Sequence, residues 1–323
     1  MARILRSRTL TPERYRLITL VALIALGGIV LTGGAVRLSS SGLGCEDWPK
    51  CSEDALVPEW GFHEWVEFGN RLLTGVVSAA VIAAVLGSMI RNPRRRDLTW
   101  WSWGLVAGVI GQVVLGGLLV KADLDPRFSM GHFLLSSVLI WNAVVLHLRA
   151  AHPGTPGVPL VGPNLVRAGR ATTGLATLGL LTGAVVTAAG PHGGDDRAER
   201  LDIALVTVTR VHSVVVWVFL AVLVMLGVGM ARSGAPRRLL TLFQVTLALS
   251  VMQGVVGYLQ YATELPPALV EVHLLGTVLV WCAVLYLHLA LFDHPEPAAP
   301  VDLTDSRSPT TVEVRSVPGP RDR

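Results

Sequence analysis

With 323 residues, 51% of them hydrophobic and 15% charged, and a mean hydropathy of +0.55, the chain is too apolar for a soluble enzyme and has the composition of a polytopic membrane protein. The formal charge of +4 comes almost wholly from arginine, Lys50 and Lys121 being the only lysines. The arginines concentrate in loops, which points to membrane topology and away from nucleic acid.

Residues 1–16 form a basic segment with Arg3, Arg6, Arg8, Arg14 and Arg16. The first apolar segment, Leu17 to Val36, is long enough to cross a hydrocarbon core of about 30 Å and lacks a small-residue cleavage site, so it reads as a span and not as a removable signal. A polar loop over 37–64 follows. Further spans are expected at about Trp65–Ile90, Leu98–Val120, Phe128–Leu148, Thr172–Ala189, Ile203–Met230, Leu239–Tyr261 and Leu269–Phe292. A Pro/Gly-rich linker, 149–170, separates the fourth from the fifth. The tail over 293–323 is rich in Pro, Ser, Thr and charge and is expected to be disordered.

Eight spans put both termini on one side. Residues 1–16, 91–96, 149–170 and 231–238 hold most of the arginines, whereas the opposite loops hold Glu46, Asp47, Glu53, Asp54, Asp123, Asp125 and the 195–202 acidic cluster. The positive-inside rule makes both termini cytoplasmic and places Cys45 and Cys51 on the outer face of the cell membrane, where disulfides persist.

The chain repeats itself. Shifted by 141 positions, Gln253–His288 falls on Gln112–His147 without a gap, pairing Gln112 with Gln253, Gly116 with Gly257, Leu124 with Leu265, Pro126 with Pro267 and His132 with His273. Thr32-Gly-Gly-Ala-Val36 echoes Thr182-Gly-Ala-Val-Val186. The expected fold is therefore all-α: two tandem four-helix bundles, 17–148 and 171–292, related by a pseudo-two-fold axis along the membrane normal.

Ionisable residues inside a membrane are costly and usually functional. His212 and His273 lie at matching depth near the outer ends of their spans, as bis-histidine ligation of a haem between helices requires. In the first half His132 is present, but the counterpart of His212 falls beside Asn70–Arg71. Glu67, Asn70 and Arg71 share one helical face by their i, i+3, i+4 spacing. The closed histidine pair suits a permanent cofactor; the open arrangement suits a substrate, although Glu67 and Arg71 could also be an ion pair that orients helices. Cys45 and Cys51 read either as a loop-stabilising disulfide or as a redox-active pair. Cys282 reads as a packing residue, Gln112 and Gln253 as interhelical hydrogen-bonding groups, and His147 and His288 as interfacial anchors. His63, His152, His192 and His294 read as solvated.

Gly33-Gly-Ala-Val-Arg37-Leu-Ser-Ser-Ser-Gly-Leu-Gly-Cys45-Glu-Asp-Trp-Pro-Lys-Cys51 and Glu67-Phe-Gly-Asn-Arg71-Leu-Leu-Thr-Gly75 resemble the first outer-loop and second-span signatures of the haem A synthases, over roughly residues 15–292. The resemblance implies oxidation of the C8 methyl group of haem O to a formyl group for cytochrome oxidase assembly. It implies haem b held by His212 and His273, haem O held by His132 beside Asn70 and Arg71, and Glu67 as the catalytic carboxylate. It also implies a disulfide or thiol role for Cys45 and Cys51, and contact with haem O synthase or oxidase assembly factors. Self-association is left open. Many members carry Glu-x-x-His-Arg where this chain has Glu67-x-x-Asn70-Arg71. An amide ligates haem iron poorly, so a five-coordinate substrate on His132 is expected. The competing readings are a non-catalytic di-haem electron-transfer protein, which should show two closed histidine pairs, and a membrane thiol–disulfide oxidoreductase, which should show a second cysteine pair.

Overall fold

The computed structural model describes residues 9–45, 47–52 and 54–295. Arg3, Arg6, Arg8, Glu46, Glu53 and the tail from 296 lie outside the described residues. Among the described residues eight helices are long and apolar enough to cross a membrane, and the chain is a multi-pass membrane protein: α1 (Pro12–Leu38), α2 (Phe62–Ile90), α3 (Arg96–Lys121), α4 (Pro126–Ala151), α5 (Pro163–Ala189), α6 (Leu205–Arg232), α7 (Arg237–Ala262) and α8 (Pro267–Ala290). Each expected span is found, and each helix runs beyond it at one or both ends.

Four helices begin with proline, at Pro12, Pro126, Pro163 and Pro267, a position where its missing N–H is no loss and its fixed φ suits the first turn. The expected linker is therefore shorter than 149–170. Pro163 starts α5 inside it, and Val158–Pro159 (β1) pairs with Phe292–Asp293 (β2), beside which the Leu160 N–H donates to Leu291 O and Thr155 Oγ1 to Pro295 O. The start of the predicted tail is likewise held in place: Asp293 pairs with Val158, and the His294 ring stacks on His152 at 4.7 Å.

Helix neighbours recur in both halves. In the first, α1–α2, α2–α3, α3–α4 and α1–α4 touch; in the second, α5–α6, α6–α7, α7–α8 and α5–α8 touch. Between the halves α1 meets α8, α4 meets α5, and α4 meets α8. The hairpin turns repeat in conformation as well. Asp123 and Leu124 before α4, and Glu264 and Leu265 before α8, all have positive φ, and the N–H of Leu124 bonds Leu119 O as that of Leu265 bonds Gln260 O.

In lipid, helices associate through close packing and interhelical hydrogen bonds. The α1–α8 seam uses glycine for this: a Cβ on Gly34 would lie 2.4 Å from Leu274 Cδ2, so no larger residue fits there without movement. Trp281 Nε1 of α8 donates to Ser137 O of α4 at 2.9 Å, and one buried cluster runs from Tyr15 and Leu105 to Leu180, Trp281 and Leu285. The halves thus share a core. Their outer surfaces carry exposed Leu17, Ile24, Trp100 and Met225, the pattern of a surface solvated by hydrocarbon.

Candidate functional site

Inside the bundle lies one cavity of about 1700 Å³, lined from both halves by Glu67, Asn70, Arg71, His132, His212 and His273. A pocket for one drug-sized ligand holds about 300–1,000 Å³. Here the polar residues fall into two groups, one in each half, with apolar walls between them from α1 (Leu26, Val30) and α5 (Leu175, Ala176, Leu180).

In the second half, His212 Nδ1 pairs with Thr182 Oγ1 at 2.9 Å, which fixes the ring against α5. On α8, Gln253 of α7 donates to His273 O at 2.7 Å and to Thr277 Oγ1 at 2.8 Å, holding the helical turn that carries the second imidazole. Both rings rest on glycine: a Cβ on Gly183 would lie 3.2 Å from His212 Cε1, and one on Gly257 would lie 3.1 Å from His273 Cε1.

The first half repeats this frame with different chemistry. Gln112 donates to His132 O at 3.0 Å and to Ser136 Oγ at 2.7 Å, and Gly116 lies beneath His132. Thr32 Oγ1 donates to Asn70 Oδ1 at 2.8 Å, as its counterpart Thr182 bonds His212. Asn70 is therefore the positional equivalent of His212. Aligning the two also matches buried Val77, Val81 and Ala84 with buried Phe219, Leu223 and Leu226. In the same register Glu67 corresponds to Thr209 and Arg71 to Ser213.

Glu67 is 6% exposed and both its oxygens are engaged. Oε2 accepts from the Cys45 N–H at 2.6 Å, while Oε1 accepts from Arg71 Nε at 3.1 Å and Nη2 at 2.5 Å. The Arg71 guanidinium also donates to Asp47 O and Lys50 O, each at 2.9 Å, and reaches Cys45 O at 3.4 Å. The ion pair thus exists, but its main structural task is to fasten the outer loop to α2. Cys45 and Cys51 form a disulfide whose residues are 0% and 5% exposed, and Trp48, between them in sequence, lies against Gly117 of α3 and lines the cavity. A thiol reagent reaches that bond only if the loop opens.

The cavity's histidines fit a haem. The Nδ1 atoms of His132 and His273 are buried with no hydrogen-bond partner, which costs on the order of 1–3 kcal/mol each unless a ligand engages that nitrogen. Imidazole donors, glycine beneath each ring and a long apolar enclosure all suit a porphyrin. Asn70, whose amide is already bonded to Thr32, supplies no second imidazole.

Several residues outside this set behave otherwise than the sequence suggests. His147 is not an interfacial anchor: it is 5% exposed and bonds Thr19 Oγ1 at 3.0 Å, much as His288 bonds Thr173 at 3.1 Å. His192 bonds Leu265 O and His63 bonds Ser41. Arg37, read as the start of a loop, ends α1 and donates to His192 O and, at 2.7 Å, to Thr187 O, joining the halves. Glu271, whose Oε2 is buried without a partner near Gly34, has no place in the sequence pattern. A carboxylate inside a span was the signal, but its counterpart in the repeat is Met130. Thr32 and Thr182 showed as a sequence echo whose hydrogen-bonding role only the fold reveals.

A family model described as cytochrome oxidase assembly protein (COX15-CtaA) matches residues 16–60 and 58–191. The chain is 34% identical over 113 residues to "Heme A synthase" of Geobacillus kaustophilus, 32% over 112 to that of Geobacillus thermodenitrificans, and 28% over 109 to that of Oceanobacillus iheyensis. Those alignments cover 34%, 34% and 33% of this chain and 35% of each relative, so the matched stretch spans about a third of their length.

Proposed function

The chain belongs to the COX15-CtaA family of cytochrome oxidase assembly proteins, and from that premise we propose that it makes haem A, oxidising the C8 methyl group of haem O to a formyl group. The observation that carries the reading is the asymmetry of two matched sites: an imidazole pair in one, and a single imidazole beside a buried carboxylate in the other.

In this reading His212 and His273 hold a resident haem b, which when bound supplies one-electron transfer. His132 ligates the iron of substrate haem O, and Asn70 opposite leaves that iron five-coordinate. Conversion of the methyl to a formyl group with oxygen from water releases four protons and four electrons, and the electrons pass to an external oxidant, a membrane quinone or dioxygen. Glu67 is the carboxylate in position to accept a proton from that water. Arg71 and the Cys45 N–H fix the carboxylate's direction, and Trp48 covers the same half against outside water. Orientation follows the arginine distribution: both termini are cytoplasmic, and the disulfide loop faces outward. Haem O arrives through the bilayer from the membrane enzyme that makes it.

The test is expression in a host that makes haem O but no haem A, followed by haem extraction, chromatography and mass analysis, beside a Glu67→Ala variant. Haem A or its hydroxylated intermediate is expected from the wild type and not from the variant. Haem b alone from both would instead support an electron-transfer protein.

A further inference from the structure

The cavity meets the lipid-facing surface in one half and not in the other. On α2 and α3, Leu72, Gly75, Ile110 and Val114 are exposed but none of them lines the cavity, so they look outward. In the register of Asn70 with His212 and in that of the 141-residue repeat, their counterparts are Val214, Trp217, Val251 and Val255. These four are exposed as well, and all four line the cavity. The second half of the cavity therefore reaches the outer surface between α6 and α7, where the first half stops short.

A hydrogen bond spans this mouth: Trp217 Nε1 of α6 donates to Tyr258 OH of α7 at 3.0 Å. Tyr258 directly follows Gly257, which faces the His273 ring, so the bond crosses at the level of the imidazoles. Because the Tyr258 oxygen accepts from Trp217, its own proton is left to donate to a ligand. On the disulfide-loop side of the bond, Arg210 and Tyr261 are exposed and line the cavity. Neither side chain has a hydrogen-bond or ion-pair partner among the described residues. Arg210, Tyr258 and Tyr261 correspond to Phe68, Gly117 and Val120 in the first half, so these donors belong to the mouth and not to the shared frame. Among the described residues the only carboxylate lining the cavity is Glu67, in the other half. The mouth thus offers donors, with no anion beside them, to a ligand whose oxygens accept.

We propose that the mouth between α6 and α7 binds a membrane quinone, the oxidant that draws electrons from the second-half site. The proposal rests on the haem reading above. The mouth opens into lipid, where quinones dissolve, and it lies at the level of His212 and His273, whose haem passes electrons one at a time. Arg210, Tyr258 and Tyr261 supply donors for the carbonyl oxygens of the ring. On the other side of the bond Val251 and Val255 line the cavity, as Ile110 and Val114 do not, and leave an apolar path for an isoprenoid tail. Each quinone takes up two electrons and two protons and leaves as a quinol. Two quinones therefore balance the four electrons and four protons released when the methyl group becomes a formyl group.

The experiment uses the purified full chain in lipid nanodiscs, loaded with haem b, reduced in the absence of air and mixed with decylubiquinone or, in parallel, phylloquinone. Loss of the ferrous haem absorbance follows the oxidation. The wild-type rate is expected to saturate as the quinone content of the bilayer rises. Arg210→Leu should raise the half-saturating content roughly tenfold or more, and Tyr258→Phe about two- to tenfold. Val255→Trp, which fills the mouth, should slow oxidation roughly tenfold or more, whereas Val114→Trp at its first-half counterpart should leave the rate unchanged. Wild-type haem content and spectrum report that a variant is folded; if Val255→Trp loses its haem, Val255→Phe is the variant read. A rate that saturates with neither quinone, or a wild-type rate in the folded Val255 variant, overturns the proposal while the haem reading stands. Loss of haem from Arg210→Leu with quinone affinity unchanged assigns that guanidinium to the porphyrin and likewise overturns it. A wild type that binds no haem overturns both.

Discussion

The two halves share a frame and differ in what the frame presents. Gln112 and Gln253 make the same pair of hydrogen bonds, Thr32 and Thr182 hold equivalent partners, and Gly116 and Gly257 lie beneath equivalent histidines. On that frame Glu67, Asn70 and Arg71 stand where the second half has Thr209, His212 and Ser213. Three positions on one helix face thus distinguish the halves, and under the proposed function they separate a permanent ligand site from one equipped for proton transfer. The outer loops enlarge the contrast. The disulfide loop is bound to the Glu67–Arg71 pair and reaches the first-half cavity through Trp48, whereas Gly190–Gly194 form the corresponding wall of the second half.

The largest effect is expected from the second half. His273→Ala should abolish stoichiometric haem retention after purification, read from the pyridine haemochrome spectrum, while His132→Ala should leave the retained haem in place. Equal losses from the two would erase the distinction. Next comes an exchange of identities. Asn70→His restores an imidazole opposite His132, and the site accepts one, because Thr32 is positioned to bond its ring as Thr182 bonds His212, and the Cβ position of Gly33 has open space around it. The variant loaded with haem O should shift from a five-coordinate to a low-spin spectrum. A spectrum that does not change would mean that Asn70 and His212 are not equivalent.

Much of this contrast is legible in sequence, because apolar length and repeat register survive without coordinates. All eight spans, the pairing of His132 with His273 and the common face of Glu67, Asn70 and Arg71 follow from spacing alone. Helix ends were less legible. Pro126, Pro163 and Pro267 punctuate loops in sequence but begin helices in the fold, so the first eight residues of α5 have a linker's composition. Contacts between distant segments carry no local pattern. Nothing near Trp48 points to Gly117, nothing near Arg37 points to Thr187, and the Trp217–Tyr258 bond joins residues 41 apart. Glu271 does not recur in the repeat, where its counterpart is Met130, so the repeat carries no signal for it.

A smaller effect is expected from Arg71→Ser, which installs the second half's residue beside Glu67. Removing one member of a largely buried pair leaves the other charge uncompensated, and the loop carbonyls of Asp47 and Lys50 lose their donor. The cost is about 3 kcal/mol, at the low end for a buried pair because Arg71 is partly exposed. Thermal unfolding in detergent should show it, together with faster reduction of the Cys45–Cys51 disulfide by a membrane-impermeant thiol. The double variant Glu67→Thr/Arg71→Ser should recover part of the lost stability, since no unpaired buried carboxylate remains. No recovery would mean that the loop contacts matter more than the ion pair.

The smallest expected effect lies at the hairpin turns. Asp125 caps α4, accepting from the Arg127 backbone N–H at 2.8 Å, while its repeat counterpart Pro266 caps α8 with no side-chain bond. The Arg127 guanidinium first, and its backbone N–H second, hold the Asp125 carboxyl below the usual carboxylate range. A carboxyl with a lowered folded pKa adds stability that is fully present above its unfolded pKa and is lost as pH falls through the folded value. The turn before α4 should therefore lose stability in acid below the ordinary aspartate range. Asp125→Asn keeps an acceptor for the cap but removes the titrating charge, so its unfolding temperature should vary less with pH over that window, with little change at neutral pH. Equal pH dependence in variant and wild type would place the acid-sensitive contact elsewhere.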